Sequence, residues 1–263
     1  MLLIKIGGGE KLNLNGIASD LGSLKEKFII VHGANALRDD LAKKLGIGKK
    51  IVTSISGYES VLSNEDTIDL AMMAYAGLKN KRIVELLQQN GVNAVGLSGL
   101  DGKVIKGKRN SGIRVREGGK TLLLHDLSGK PKEINRQLLD LLLDNDYMPV
   151  LCVPLIDENN FAINSENDDV VALLQNEFKA EKVISFIEEP GFLLDKNDPS
   201  SLITNISKDD LEEIEKKVEG RMKRKILALR KLFVGGATTV IICDGRSEHP
   251  IQDALNGKGT TIK

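Results

Sequence analysis

Four short stretches of the sequence carry residue types that could handle an anion. Lys5 stands inside the apolar run Leu2–Ile6, which leads directly into Gly7-Gly8-Gly9. A second apolar run, Phe28–Val31, ends in His32-Gly33-Ala34-Asn35. Glycine turns after apolar strands let backbone N–H groups approach phosphate oxygens, and a following helix N-terminus adds positive potential. Neither turn is a Walker A loop, because Gly-Lys-Ser/Thr is missing, and neither fits G-x-G-x-x-G, because Leu12 stands where the third glycine belongs. A lysine in a buried strand needs an anionic partner or costs several kcal/mol of desolvation. The alternative is an edge-strand lysine whose ammonium reaches water.

The third stretch is Phe161-Ala-Ile-Asn-Ser-Glu-Asn-Asp-Asp169. Asn164 and Ser165 can cap a following helix, with Glu166, Asp168 and Asp169 in its first turn, where the macrodipole favours acids. An asparagine with clustered carboxylates after a strand equally suits a magnesium–nucleotide phosphate site. Both readings stand on the residues alone. The fourth stretch, Gly220-Arg-Met-Lys-Arg-Lys225, puts four cations at the start of a helical pattern. They oppose the helix dipole, which points either to an external anion or to a solvated basic patch. The three histidines follow no Ser/His/Asp order, and Cys152 and Cys243 lie in apolar runs without metal-ligand spacing. Hydrolase chemistry, a disulfide framework and a structural zinc site are therefore not expected.

The elements that must hold these stretches alternate. Continuous apolar runs at Leu2–Ile6, Phe28–Val31, Ala94–Leu97, Pro149–Pro154, Lys182–Ile187 and Thr238–Cys243 read as strands buried on both faces. Amphipathic patterns at Thr67–Asn90, Ile134–Asn145, Asp168–Phe178 and Gly220–Phe233 read as helices. In the first of them Ile68, Met72, Tyr75, Leu78, Ile83 and Leu86 recur at mixed three- and four-residue steps. The alternation predicts an α/β fold, a doubly wound sheet with right-handed crossovers. Lys103–His125 breaks the rhythm, with turn signals at Asn110-Ser111-Gly112 and Gly118-Gly119, and reads as β-hairpins inserted on an edge of the sheet. The charge-dense Ser207–Lys217 reads as a solvated helix face.

With 37 Lys+Arg against 37 Asp+Glu in 263 residues, the chain carries no net charge, which argues against a general nucleic-acid or membrane-surface binder. No apolar run approaches the roughly 20 residues that span a bilayer, and the N-terminus lacks a basic n-region, so a soluble cytoplasmic protein is expected.

Taken together, Lys5-x-Gly7-Gly8-Gly9, His32-Gly33, Gly96-Leu-Ser-Gly-Leu-Asp-Gly102, Ile163-Asn164 with Asp168, and Gly220-x-Met-x-x-Lys225 resemble the amino acid kinase family, from Lys5 to the closing Gly257–Ile262. Within it the chain is similar to acetylglutamate kinases. It is more similar still to the branch that phosphorylates aminoadipate held by an amino-group carrier protein, through Asn80-Lys-Arg82 and Asp244-Gly-Arg246 with Pro250-Ile251. The resemblance implies an open αβα sandwich with a mainly parallel sheet. It implies a single domain whose first lobe, about 1–160, holds the acceptor and whose second, about 161–263, holds ATP with Mg²⁺. A homodimer built around the Thr67–Asn90 helix is also implied. Carried over by position, Lys5 and Lys225 would stabilise the transferring phosphoryl group and Asp168 would orient them. Gly7 and Gly8 would meet the phosphates, Pro190 and Gly191 would border the nucleotide, and Gly33, Ala34 and Asn164 would contact the acceptor. Two positions depart from the family. The second turn reads His32-Gly33-Ala34-Asn35 where many relatives have further glycines, and Val61 stands where relatives carry an arginine that grips the substrate's α-carboxylate. Either another cation, such as Arg38 or Arg82, substitutes, or the acceptor differs from the family norm.

The expected function is ATP-dependent phosphorylation of the side-chain carboxylate of carrier-bound aminoadipate, or glutamate, in lysine or arginine biosynthesis. The carrier of such a pathway is small and acidic. Lys103, Lys106, Lys108, Arg109, Arg114, Arg116 and Lys120 stand against Glu117 alone between 103 and 120, a basic segment suited to docking it. The alternatives are a kinase of free N-acetylglutamate and a catalytically lapsed nucleotide-binding regulator, for which Val61 is the hint.

Overall fold

A computed structural model describes residues 1–48, 50–55, 59–195, 197–217 and 220–263, apart from the side chains of 59, 60, 217 and 220–225. The chain opens with β1 (Leu2–Ile6), α1 (Leu14–Gly22), β2 (Phe28–His32) and α2 (Asn35–Lys44). Strands β3 (Ile51–Thr53) and β4 (Glu59–Val61) lead into one helical run of α3 (Glu65–Ala71), a π-helical stretch (Met72–Lys79) and α4 (Asn80–Gln89). Next come β5 (Ala94–Ser98), β6 (Ile105–Arg109), β7 (Ile113–Glu117), β8 (Lys120–Leu124), β9 (Gly129–Ile134), α5 (Arg136–Asp144) and β10 (Met148–Cys152). Short strands β11 (Leu155–Ile156) and β12 (Ala162–Ile163) precede α6 (Asn167–Phe178) and β13 (Lys182–Ile187). The chain closes with β14 (Phe192–Leu193), β15 (Leu202–Ile203), β16 (Asn205–Ile206), α7 (Leu211–Lys217), α8 (Gly220–Val234), β17 (Thr239–Asp244), α9 (Pro250–Leu255) and β18 (Thr260–Ile262).

Local chemistry sets several boundaries. Asn13, Asn64 and Asn135 each cap a helix, their side-chain oxygens accepting the N–H of Gly16, Thr67 and Leu138. Pro250 opens α9 at a position whose N–H has no helical partner.

Eight strands form the central sheet in the order β16-β18-β17-β13-β1-β2-β10-β5. Every pairing is parallel except β17 with β18. Alternate residues of each strand face opposite layers, so both faces are apolar. Leu3, Ile29, Val31, Leu151 and Val183 pack against Leu139 of α5, Val170 and Leu174 of α6 and Leu229 of α8. Ile4, Ile6, Ile30, Val150 and Ile184 pack against Ile17 of α1, Ile83 and Leu87 of α4 and Ile251 of α9. This is the α/β architecture that the alternation predicted and the αβα sandwich with a mainly parallel sheet that the resemblance implied. The six strands read from the sequence are displaced by at most two residues at an end, and β16 and β18 add to them.

Two readings need correction. The Lys103–His125 segment does not extend an edge of the central sheet. Strands β7 and β8 do form a hairpin, turning at Gly118 and Gly119, both with positive φ. At Asn110-Ser111-Gly112, however, the chain passes between sheets: β6 pairs antiparallel with β9 and parallel with β11. The reason is side-chain placement. Ile105 and Gly107 of β6 are buried against the domain, whereas Val115 of β7 is buried with Val52 and Leu62 beside β3 and β4. Second, the Thr67–Asn90 pattern is not one regular α-helix. The π-helical stretch sets Tyr75 and Asn80 five residues apart on the buried side and turns Leu78, 46% exposed, outward from the stripe assigned to it.

Candidate active site

The carboxyl ends of β1 and β2 are adjacent and parallel, so their two glycine turns lie side by side. They touch backbone to backbone. A Cβ on Gly33 would fall 2.8 Å from Gly8 N, and one on Gly8 would fall 2.7 Å from Asn35 N. The Gly33 N–H donates to Ile6 O and the Ala36 N–H to Gly8 O. The Gly7 N–H is already committed to Phe186 O. Helix α2 begins directly behind the second turn, and Ala34 at its N-cap provides no side-chain acceptor. Of the first-turn amides of α2 the Ala36 N–H is taken by Gly8 O, and the others, with a glycine-lined approach, suit phosphate or carboxylate oxygens.

Lys5 is on an interior strand, which removes the edge-strand alternative. Its ammonium forms an ion pair and short hydrogen bond with Asp168, in the first turn of α6. The two neighbouring acids have different partners. Asp168 turns to Lys5, while Asp169 turns away to Lys130 at 2.6 Å and Lys231 at 2.7 Å, beside a groove of about 600 Å³ between α6, α8 and β9. Burial pushes the Asp169 carboxyl up, but those two ammonium hydrogen bonds outweigh it and hold it below its usual range.

Neither Asn164 nor Ser165 caps α6. The N-cap is Glu166, without a side-chain bond. Asn164 instead donates through Nδ2 to Ser63 Oγ at 3.3 Å, and its backbone is laced to Leu127 and Gly129. Ser63 is held in turn by buried Asp126, which accepts the Ser63 N–H at 2.8 Å and bonds to Ser128. The α6 start is therefore shaped by tertiary contacts, not by a local cap.

Lys225 lies in the first turns of α8, and its side chain is outside the described residues. So are Gly57 and Tyr58, while Val61 is 40% exposed on β4. Of the two substitutes for the missing arginine, Arg82 pairs with Glu85 on the surface of α4. Arg38, on α2, pairs with Asp39 and is close enough to Tyr75 to act on its ionisation, as is Glu166. Burial is what chiefly pushes that phenol up. Its hydroxyl donates to Asn35 Oδ1, at the start of α2.

Pro190 and Gly191 follow the carboxyl end of β13, the other neighbour of β1. Gly191, at φ 159°, packs tightly on Leu202 and Thr260. The resemblance makes the whole 187–191 stretch the loop after the strand bordering the nucleotide but does not single out Glu188, whose carboxylate rests against Gly9 and accepts the Lys11 N–H at 2.6 Å. Lys79, at the end of the π-helical stretch, is not singled out either. Burial lowers its pKa, with Glu188 acting in the opposite direction. The strand-end rule that singled out the turns after β1 and β2 applies equally to β13 and could have found Glu188.

The arrangement suits an ATP–magnesium complex. The turn accommodates an oxyanion, as the Glu188 carboxylate shows, and Lys5 supplies a cation beside it. Among the described residues, no three His, Cys, Asp or Glu side chains converge on one point. Magnesium in such a site is held by substrate phosphates and one or two carboxylates, with Asp168 and Glu188 the candidates. Also among the described residues, no helix is long and apolar enough to cross a membrane.

The chain is similar to known proteins over its whole length. The chain is 39% identical over 269 residues to the [LysW]-aminoadipate kinase of Thermus thermophilus, covering all of both chains. It is 30% identical over 265 residues to the acetylglutamate kinase of Methanopyrus kandleri, again covering all of both. Its fold superposes with a TM-score of 0.77 on N-acetylglutamate synthase from Neisseria gonorrhoeae at 19% identity, covering 99% of this chain and 58% of that one. The model of the amino acid kinase family matches residues 1–244, a span that includes both glycine turns, Asn164 and Asp168, and to that family the chain belongs.

Proposed function

We propose that this chain transfers the γ-phosphoryl group of ATP to the side-chain carboxylate of aminoadipate, or glutamate, carried on a small acidic amino-group carrier protein. The observation that carries the reading is the Lys5–Asp168 pair beside two abutting glycine turns. A carboxylate acceptor, with a pKa near about 4.3, is ionised at neutral pH and needs no general base. The protein's work reduces to positioning and charge neutralisation.

In this reading Asp168 holds the Lys5 ammonium in place, and Lys5 and Lys225 meet the charge that spreads over the transferring phosphoryl oxygens. The amides of the first turn, Gly8 foremost, hold the phosphates, and bound magnesium supplies further charge neutralisation there. Gly33 and Ala34, in the part of the chain up to about residue 160, contact the acceptor together with Asn164 just beyond it. Pro190 and Gly191 border the nucleotide in the remainder. A homodimer built on the 65–89 helical run is part of the same proposal.

The carrier is favoured over a free acceptor by the exposed cations of the inserted strands. Lys106, Lys108, Arg114, Arg116 and Lys120 are all exposed. Arg109 is not available, because it pairs at 2.9 Å with buried Asp157. The second reading, phosphorylation of free N-acetylglutamate, draws on the match to the Methanopyrus kandleri protein. Trapping acyl phosphate with hydroxylamine decides between them, using carrier-bound aminoadipate, carrier-bound glutamate and free N-acetylglutamate as acceptors. Product from the free acceptor alone would overturn the carrier proposal. Product from none would favour a lapsed regulator.

A further inference from the structure

Glu188 stands at the end of β13 and reaches across to the glycine turn of the neighbouring strand β1. Its Oε1 accepts the Lys11 N–H at 2.6 Å. A Cβ on Gly9 would fall 2.2 Å from its Cδ and 2.4 and 2.5 Å from its two oxygens. Its Oε2 accepts no hydrogen bond among the described residues. Lys79 and Arg246 both feel its charge. A triphosphate held by the same turn would bring a second and larger anion against this carboxylate. Like charges at such range, in a partly desolvated site, repel unless a cation lies between them. A magnesium ion bound through one carboxylate and the substrate's own phosphates answers that need.

Resting on the kinase reading above, we propose that Glu188 is a direct ligand of the magnesium that accompanies ATP, so that this chain admits the nucleotide as its metal complex and disfavours it without the metal. Gly9 is then required for space as well as for backbone approach, because any side chain there would displace the carboxylate.

The test is equilibrium binding of ATP to the intact chain, without acceptor, by titration calorimetry in Mg²⁺ and in EDTA. In Glu188→Gln, metal-free ATP should bind about tenfold tighter as the repulsion is removed, and the magnesium complex about tenfold weaker as a ligand is lost. The preference for the metal complex should thus collapse by about a hundredfold relative to the native chain. Glu188→Asp, which keeps the charge, should retain more of that preference than Glu188→Gln. Equal shifts of both affinities in Glu188→Gln would mean that the carboxylate merely occupies the turn, and would overturn the proposal. Unchanged affinities would overturn it as well. A native chain that bound ATP under neither condition would bring down the kinase reading and this inference with it. Tight magnesium-dependent binding with an unshifted preference in Glu188→Gln would bring down this inference alone.

Discussion

Lys5 and Asp168 are separated by 163 positions in the chain, yet they meet as an ion pair near the carboxyl end of β1. Lys5 comes from a strand in the middle of the sheet, and Asp168 from the first turn of a helix packed across it. Each gains what it would otherwise lack: the lysine gains a counter-ion in a partly buried place, and the aspartate gains a cation in addition to its helix dipole. Held by that aspartate, the ammonium is fixed in place on the sheet.

Removal of either partner should therefore act on turnover more than on nucleotide affinity. Lys5→Ala is expected to lower kcat by at least about a hundredfold with a modest change in the KM for ATP, and Lys225→Ala should behave likewise. Asp168→Asn should impair kcat while leaving the melting temperature nearly unchanged, since its carboxylate is 41% exposed and exposed pairs contribute little stability. Steady-state kinetics with a calorimetric melt check all three. Full activity in Lys5→Ala would remove the site assignment.

Gly33 makes a different prediction from its neighbour. A methyl group at Gly33 would meet backbone atoms, Gly8 N at 2.8 Å and Gly8 Cα at 2.9 Å, neither of which can swing aside. Gly33→Ala should force the two turns apart and weaken both ATP and acceptor binding. Ala34→Gly adds no atoms and should be far milder. Paired KM measurements on the two variants test the contrast.

The basic strands predict a salt dependence. The triple change Lys108→Glu, Arg114→Glu and Arg116→Glu spares Arg109, whose reversal would confront buried Asp157 with a second carboxylate. It should raise the KM for the carrier-bound substrate, chiefly through slower association, and leave the KM for ATP nearly untouched. The difference from the native chain should shrink as the Debye length falls from about 10 Å at 0.1 M salt to about 3 Å at 1 M. Equal KM values at low salt would exclude docking on these strands.

His32 should contribute no catalytic titration at all. It is fully buried, and that desolvation lowers its pKa from 6.5 to about 3, with the nearby Lys79 charge acting in the same direction. Asn80 Nδ2 lies 3.1 Å from its Nε2 and also donates to Val150 O, so Nε2 is the acceptor and Nδ1 carries the proton. Its ring nitrogen shifts should stay constant from about pH 8 to about pH 5. The linkage has a definite sign. Between 6.5 and about 3 the unfolded chain binds a proton that the native state refuses, so stability falls as pH drops through that window. His32→Gln should lose less stability on acidification than the native chain, as thermal melts across that range would show.

Much of this architecture is legible in one dimension because its physics is local. Continuous apolar runs between helical patterns require strands covered on both faces, and β1, β2, β5, β10, β13 and β17 lie where those runs are. Glycines after β1 and β2 mark the carboxyl end of the sheet, where open α/β sheets bind ligands. What could not be read locally is every choice made by packing. Asn164 has the right chemistry for a helix cap, but Ser63 and the 127–129 segment, far from it in sequence, claim its groups first. Asp168 and Asp169 are chemically alike, and only the places of Lys5, Lys130 and Lys231 send one to the site and the other to the groove. The turn at 110–112 resembles a hairpin turn until the buried faces of β6 and β7 are seen to belong to different cores. Glu188 gains its meaning only because β13 pairs with β1, bringing its carboxylate to Gly9. Local patterns are set by backbone geometry and solvent, and they survive in any fold. Side-chain partners depend on which distant segments a particular sheet order brings within a few ångströms, and no spacing along the chain encodes that distance.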